Sequence, residues 1–394
     1  MSMKKIFLKR KKDAALRRFH PWVFSGAIQR TEGHPADGEL VEVYSHQGDF
    51  LGAGHYQNGS IRVRIFSFEP TDAGLPFWTK RLQQAIQYRR SLGLPADQQT
   101  DAYRLVHAEG DELPGLVIDI YGGTAVIQCH SIGMHLERHN LTAALQEVFG
   151  DQLQAVYDKS RDTLPGNYAA NAENQYLFGA SKKQTALENG HPFIVDWEGG
   201  QKTGFFLDQR ENRQLLARYA TGKRVLNAFC YTGGFSLYAL KAGAHHVDSV
   251  DTSDKAIELC RKNVALLENS SGTHQAHRED VLQFLRRQET LYDLIVVDPP
   301  AFAKSLKKRH NAVQGYKRLN ASALQKIKPG GILFTFSCSQ VVDKTLFYNT
   351  IVAAALEAGR KVKVMHQLSQ SPDHPISLFH PEGEYLKGLV LQIS

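Results

Sequence analysis

Through the first part of the chain, polar and apolar positions change over with a period of about two. KIFLK, ELVEVYS, FLGAGHY and RVRIFSF either alternate or are dense in β-formers. Turn signals separate them at Pro35-Ala36-Asp37-Gly38, His46-Gln47-Gly48 and Asn58-Gly59. This spacing predicts a small all-β barrel over residues 1–75. A helix is expected next over PFWTKRLQQAIQYRRSLG, with Phe77, Leu82, Ile86 and Tyr88 as its apolar residues and Gly93 as its stop.

Residues 76–190, counting that helix, form a second unit. LVIDIY and TAVIQC flank Gly122-Gly123, a strong hairpin signal. MHLERHNLTAALQEVF has helical periodicity and stops at Gly150, and AVYDKS reads as another strand. The expectation is an α+β module without chemistry of its own. Residues 191–394 behave differently. PFIVDW, Glu198-Gly199-Gly200 and QKTGFF predict a further hairpin, and Asp208 is placed to cap a helix over QRENRQLLARYA that ends at Gly222. RVLNAF, HVDSVD, LIVVD and ILFTFS then alternate with helical stretches. Short apolar strands alternating with helices predict a parallel, doubly wound α/β sheet. No internal repeat or low-complexity tract interrupts the chain.

Composition narrows the class. The 394 residues are 42% hydrophobic and 22% charged, close to globular averages, which excludes wholesale disorder. No apolar run reaches the ~18 residues that span a bilayer, and the charged start MSMKKIFLKRKKD lacks a signal peptide's apolar core. No membrane partner is expected. Cys129, Cys230, Cys260 and Cys338 form no CxxC pair, so neither a metal site nor a disulfide framework is indicated, and a cytoplasmic protein with reduced thiols is expected. Residues 1–18 hold eight lysines and arginines, among them Lys9, Arg10, Lys12, Arg17 and Arg18, against Asp13 alone, which is the whole net charge of +7. A basic block on a neutral protein points to nucleic acid; the plainer alternative is a solvated, frayed terminus.

Ligands of such sheets bind beyond the carboxyl ends of the strands, where the strand order reverses. Four predicted strand ends carry suggestive residues. Asn227-Ala228-Phe229-Cys230-Tyr231-Thr232-Gly233-Gly234-Phe235 is a glycine-bearing turn, though not GxGxxG, and an ordinary βα turn is the alternative. Asp251 follows Gly233 by 18 residues, an offset suited to binding ribose hydroxyls, although it, Thr252 or Ser253 could simply cap a helix. Asp280, before Val281, could accept from an adenine amino group or only cap its helix. Asp298-Pro299-Pro300-Ala301-Phe302 holds a carboxylate and a ring on stiff backbone, suited to reading and stacking a flipped base. Ser337-Cys338-Ser339 ends another strand, and Cys338 is either a nucleophile or a buried small hydrophobe.

In this order the motifs resemble the class I S-adenosylmethionine-dependent methyltransferases, which implies a Rossmann-like seven-stranded sheet with one reversed strand, to which YLKGLVLQI would belong. Cys338-Ser339 resembles the nucleophile motif of RNA cytosine-C5 methyltransferases. Many of those carry a second cysteine after Asp-x-Pro, where this chain has Ala301-Phe302. FLKRKKDAALRRFHPWVFSGAI resembles the start of a PUA domain, an RNA-binding barrel. With HAEGDELPGLVIDIY and GQKTGFFLDQREN, the whole chain is similar to the bacterial PUA-containing 23S rRNA cytosine-C5 methyltransferases. That resemblance implies S-adenosyl-L-methionine as cofactor. Its pocket would be lined by Lys202, Gly204, Phe205, Asp208, Arg210, Asn227, Tyr231, Gly233, Asp251, Thr252, Asp280, Val281 and Asp298, with Arg210 on the methionine carboxylate. Cys338 and Asp298 would be catalytic. Lys9, Arg10, Lys12, Arg17, Arg18 and Phe302 would contact 23S rRNA or a large-subunit assembly intermediate. The oligomeric state is open, a homodimer among the options. The rival readings are a purine N-methyltransferase, a uridine-C5 methyltransferase, a non-catalytic ribosome-assembly factor and a dinucleotide-dependent oxidoreductase.

Overall fold

The computed structural model describes residues 3–181, 185–268, 270–303 and 305–394. The chain divides into two compact units. The first takes Met1–Leu187, Val195–Phe205 and Pro372–Gly383; the second takes Glu188–Ile194, Phe206–Ser371 and Glu384–Ser394.

In the first unit the alternating segments form one six-stranded sheet, in the order Trp22–Phe24, Ile61–Ser67, Phe50–Tyr56, Leu40–Tyr44, Lys4–Leu8, Ile28–Glu32. Ile6, Leu8, Val41, Val43, Val63 and Ile65, the inward positions of the alternation, make its core. Gly54 permits a close approach there: a Cβ would stand 2.1 Å from the Arg64 carbonyl oxygen.

The predicted helix runs over Leu75–Ser91, with Pro76 in its first turn. Its buried stripe is Trp78, Leu82, Ala85, Ile86 and Arg89. Phe77 is only partly buried and Tyr88 is exposed, because neither lies on that stripe. Arg89 is fully buried and donates to the Asp111 carboxylate and the Arg104 carbonyl.

A second sheet follows, in the order Gln175–Gly179, Ala155–Asp158, Thr124–Cys129, Leu116–Tyr121, Ala102–His107. The helix expected over residues 134–149 is broken in two, Ile132–Leu136 and Arg138–Phe149. Glu137 stands at the joint and accepts from Trp78 Nε1 at 3.0 Å.

One expected strand does not exist. Residues 201–206 form turns rather than the second arm of a hairpin. Lys202 (φ 48°) and Gly204 (φ 113°) lie in the left-handed region, which no ladder can continue. Thr203 is buried there and donates to Asp119 at 2.6 Å.

The second unit is built on a seven-stranded sheet. Its order is Thr273–Arg278, His246–Asp251, Arg224–Ala228, Tyr292–Val297, Ile327–Ser337, Lys387–Ile393, Val362–Leu368. The first five strands are parallel, and Lys387–Ile393 runs antiparallel to both neighbours. This is the Rossmann-like arrangement with one reversed strand. Apolar runs such as LIVV in Tyr292–Val297 and ILF in Ile327–Ser337 fit strands whose two faces are both covered by helices. Leu226, Ile295, Val297 and Leu333 pack on one side with Tyr316, Phe347 and Ile351. Val225, Leu294, Val296 and Phe334 pack on the other with Leu216, Phe235 and Leu240. The strand order reverses between Arg224–Ala228 and Tyr292–Val297, so the switch crevice opens at their carboxyl ends.

Candidate active site

The turn after Arg224–Ala228 is conformationally costly. Phe229 (φ 62°), Tyr231 (φ 44°) and Gly233 (φ 83°) all have left-handed backbone. Hydrogen bonds from its surroundings hold it. Cys230 N–H donates to the Val250 carbonyl at 3.0 Å, and Asn263 Nδ2 donates to the Thr232 carbonyl at 2.9 Å. Asn227 Nδ2 donates to Ser236 Oγ at 2.8 Å. Gly233 is required by packing as well as by its φ: a Cβ would stand 2.6 Å from Cys260 Sγ. Cys230 is buried against Ile257 and Cys260, and burial pushes its thiol up.

Asp251 joins this turn to the next strand end. Its Oδ2 accepts from Tyr231 N–H and its Oδ1 from Ser253 N–H, both at 3.0 Å. Ser253, not Asp251 or Thr252, caps the helix Asp254–Ala265. Thr252 is exposed. Asp280 does cap Val281–Arg287, with Oδ1 accepting from Gln283 N–H at 3.0 Å, which leaves its other oxygen for a ligand. The Val281 side chain is in the core, so only its backbone can face a ligand.

Asp208 is not a helix cap. The helix is Arg210–Ala220 with Gln209 at its N-cap, and no side chain caps it. Asp208 is buried, and its Oδ2 accepts from Tyr385 O–H at 2.6 Å. Arg210 is buried in the first turn, with Nε 3.4 Å from Glu211. Gln209, which the sequence did not single out, donates from Nε2 to Asp298 Oδ2 at 2.9 Å, while its own Oε1 accepts from Asn212 at 2.6 Å. Lys202, Gly204 and Phe205 belong to the first unit: Lys202 is exposed and Phe205 is buried. Asp208, Gln209, Arg210 and the strand ends carrying Asp251, Asp280, Asp298 and Cys338 belong to the second unit.

The Asp298 and Cys338 segments lie on adjacent parallel strands, with Val297 opposite Thr335. Ser339 Oγ donates to the Ala303 carbonyl at 2.6 Å and ties the two segments together. Asp298 and Cys338 are both half-buried. Cys129, Cys230 and Cys260 are buried, so Cys338 alone of the four cysteines is open to a substrate. Phe302 packs its ring 4.6 Å from Tyr316, and a Cβ at Gly315 would stand 3.0 Å from it, so part of that ring serves the core. Burial pushes the Tyr316 phenol up to about 12. Lys387, unnoticed in the sequence, donates from Nζ to the Ser339 and Val342 carbonyls, each at 2.7 Å.

The residues present fit an adenosine-bearing sulfonium. Asp251 and Asp280 offer acceptors at successive strand ends, where a nucleoside presents hydroxyls and an amino group.

In the first unit the basic block is exposed. Arg10, Lys12 and Arg18 form no ion pair among the described residues, whereas Arg17 is held by Asp13 at 2.6 Å and Asp49 at 2.8 Å. Lys9 donates to the Gly26 carbonyl at 3.0 Å. Beside the block stand exposed Phe19, Phe24 and Phe379, with Phe19 and Phe379 ring centroids 5.4 Å apart. His20, His380 and Glu382 cluster close enough to hold a cation. However, His20 Nδ1 accepts from Trp22 N–H, so in the neutral ring Nε2 carries the proton and faces Glu382. At 3.6 Å this contact is longer than a hydrogen bond.

Comparison with known proteins agrees with this fold. Residues 6–68 match the PUA-like domain, and residues 106–378 match the S-adenosylmethionine-dependent methyltransferase family. The chain is 40% identical over 395 residues to ribosomal RNA large subunit methyltransferase I of Aeromonas hydrophila, covering 98% of each chain. It is 39% identical over 402 residues to the protein of that name from Escherichia coli O1:K1, covering both completely. A solved structure described as a SAM-dependent methyltransferase from Streptococcus mutans superposes with a TM-score of 0.81 at 24% identity, over 98% of this chain and 99% of that one, which shows the fold.

Proposed function

The chain belongs to the S-adenosylmethionine-dependent methyltransferase family, in the group of the ribosomal RNA large subunit methyltransferases I, and from there we propose that it methylates C5 of a cytosine in 23S rRNA. The observation that carries this reading is Cys338: it is the one open thiol, and Ser339 ties its turn to the Asp298 turn. C5 of a pyrimidine is a poor nucleophile until a thiolate adds at C6.

Cys338 Sγ bonds C6 of a base rotated out of its stack, and the C5–C6 π electrons move into the ring. Asp298, steadied by Gln209, accepts from the N3/N4 edge and stabilises the polarised ring. S-adenosylmethionine, when bound, supplies the methyl as an electrophile, and C5 takes it. A base or water then removes the C5 proton, the double bond re-forms, and the Sγ–C6 electrons return to Cys338. Among the basic residues, Arg10, Lys12 and Arg18 have charge free for phosphates, and Phe19, Phe24 and Phe379 offer faces for unpaired bases. Asn227, Tyr231, Gly233, Asp251 and Asp280 form the adenosine side of the pocket.

The test is methyl transfer into unmodified 23S rRNA, with nucleosides identified by mass. 5-Methylcytidine is expected, and Cys338→Ala should abolish it while S-adenosylmethionine binding persists. A methylated purine, 5-methyluridine, or full turnover by Cys338→Ala would refute the reading.

A further inference from the structure

Outside residues 1–18 the charges of the chain sum to zero, but they are not evenly spread. Residues 299–342 contain eight lysines and arginines and no aspartate or glutamate. This second basic block begins immediately after Asp298. Three of its cations are engaged within the fold. Lys317 is held by Glu357 at 2.7 Å and Lys328 by Asp293 at 2.9 Å, and Lys326 donates to the Gln288 carbonyl at 2.6 Å. Lys304 lies outside the described residues. Lys307, Lys308, Arg309 and Arg318 are exposed and form no ion pair among the described residues. The first three are consecutive. They occupy the short turn Leu306–Lys308 and the start of the helix Arg309–Gln325, whose first turn holds no acidic residue.

Their place in the fold argues against a merely solvated face. The helix Arg309–Gln325 follows the strand Tyr292–Val297, so it starts at the carboxyl edge where Asp298 stands. Phe302 packs its ring 4.6 Å from Tyr316 of that helix, and a Cβ at Gly315 would stand 3.0 Å from Phe302, so the helix and the Asp298 segment pack as one piece. The helix Lys344–Glu357 starts at the same edge, after Ile327–Ser337 and the Cys338 turn. The two helix starts line a groove of about 480 Å³, Arg309 and His310 from one and Thr345 and Asn349 from the other. Asp343 also lines it, with its carboxylate accepting from Leu346 N–H at 2.8 Å as a helix cap. A nucleotide that turns out of its stack brings its own two phosphates with it. Cations at the mouth of the site suit those phosphates. The N-terminal block belongs to the first unit, whereas this block belongs to the unit that carries Asp298 and Cys338.

We propose that Lys307, Lys308 and Arg309 form a second RNA-binding surface, which takes the phosphates beside the nucleotide entering the candidate site. This rests on RNA being the substrate, and not on which atom is methylated. The contacts position the strand and read no sequence.

The experiment is filter binding of the full-length protein to unmodified 23S rRNA between about 50 and 200 mM salt. Changing Lys307→Gln, Lys308→Gln and Arg309→Gln together should reduce the log–log salt slope by about 2, so that the wild type loses roughly 16-fold more affinity than the variant over that fourfold rise. S-adenosylmethionine affinity should be unchanged, which checks the fold. Lys307→Arg with Lys308→Arg should keep the wild-type slope, because phosphates meet the charge. The control removes the same number of charges from existing ion pairs, as Lys262→Gln, Lys317→Gln and Lys328→Gln, and should keep nearly the wild-type slope. Equal slopes for wild type and the 307–309 variant overturn the proposal and leave the cytosine reading standing. So does a control whose slope falls as far. A methylated purine as product would remove the cytosine reading and leave this one, since binding is read without turnover. A wild type with no measurable affinity for the rRNA overturns both.

Discussion

Ser339→Ala removes one oxygen atom from the candidate site. The hydroxyl is buried, 1% exposed, and its bond to the Ala303 carbonyl is short at 2.6 Å. Removing the donor leaves a carbonyl of a 4% exposed residue without this partner, which costs about 1–3 kcal/mol of stability. The kinetic consequence should be larger than the thermodynamic one. In the proposed mechanism this bond sets the spacing between the carboxylate assigned to the base and the sulfur assigned to the attack. A displacement of about 1 Å between reacting groups costs on the order of 10²-fold in rate. Single-turnover methyl transfer should therefore fall by about that factor, with S-adenosylmethionine affinity nearly unchanged. Thr350→Val is the control. It deletes a similarly buried hydroxyl, bonded to the Leu346 carbonyl at 2.7 Å within one helix. It should lose comparable stability and no rate. Equal rates for wild type and Ser339→Ala, or equal rate losses for the two variants, would show that the tie only stabilises the fold.

Neutralising Arg10, Lys12 and Arg18 together should weaken RNA binding and flatten its salt dependence by about 2 in log–log slope, measured by filter binding; an unchanged slope refutes the assignment. Neutralising Arg17 should do less, because Asp13 and Asp49 already hold it. Glu188→Gln should cost about 3–5 kcal/mol in denaturant unfolding, since it leaves Arg213, fully buried and bonded through two 2.7 Å contacts, facing a neutral partner. A loss within error of a surface substitution would contradict the buried-pair reading. Burial lowers His55 from 6.5 to about 3. The unfolded chain then binds the extra proton as pH falls below 6.5, so stability should decline from there toward pH 3, by about 1.4 kcal/mol per pH unit for this residue. His55→Gln should reduce the acid slope of unfolding free energy by that amount, and an unaltered slope would mean the imidazole stays charged when folded.

The C-terminal sheet was legible because strands covered on both faces are largely apolar, and Val225, Leu294 and Val296 pack into its core. The strand ends carrying Asp251, Asp298 and Cys338 could be located from the alternation of strands with helices, whereas the strand before Asp280, Thr273–Arg278, is polar and was not expected. What escaped was set by backbone conformation or by distance along the chain. QKTGFF reads as a strand because alternation says nothing of the left-handed φ at Lys202 and Gly204. Asp208 looks like a cap because its partner, Tyr385, is 177 residues away. Lys387 carries no signal at all, since it bonds backbone carbonyls, whose side chains are irrelevant to it. Arg17 counted toward the basic block on its own charge, whereas Asp49 reaches it from 32 residues further on.

The first unit includes Pro372–Gly383, which leaves the large sheet between its last two strands. Asp373 is fully buried there: its carbonyl accepts from Arg89 at 2.7 Å and its Oδ2 from Arg104 N–H at 3.0 Å. Domains generally fold as they emerge from the ribosome, N-terminal first. Here the N-terminal unit has to wait, because the residue that closes over Arg89 is translated only after almost all of the other unit. Nascent chains halted before residue 372 should therefore expose that arginine's surroundings to protease, and the two halves of the protein should reach their native state nearly together.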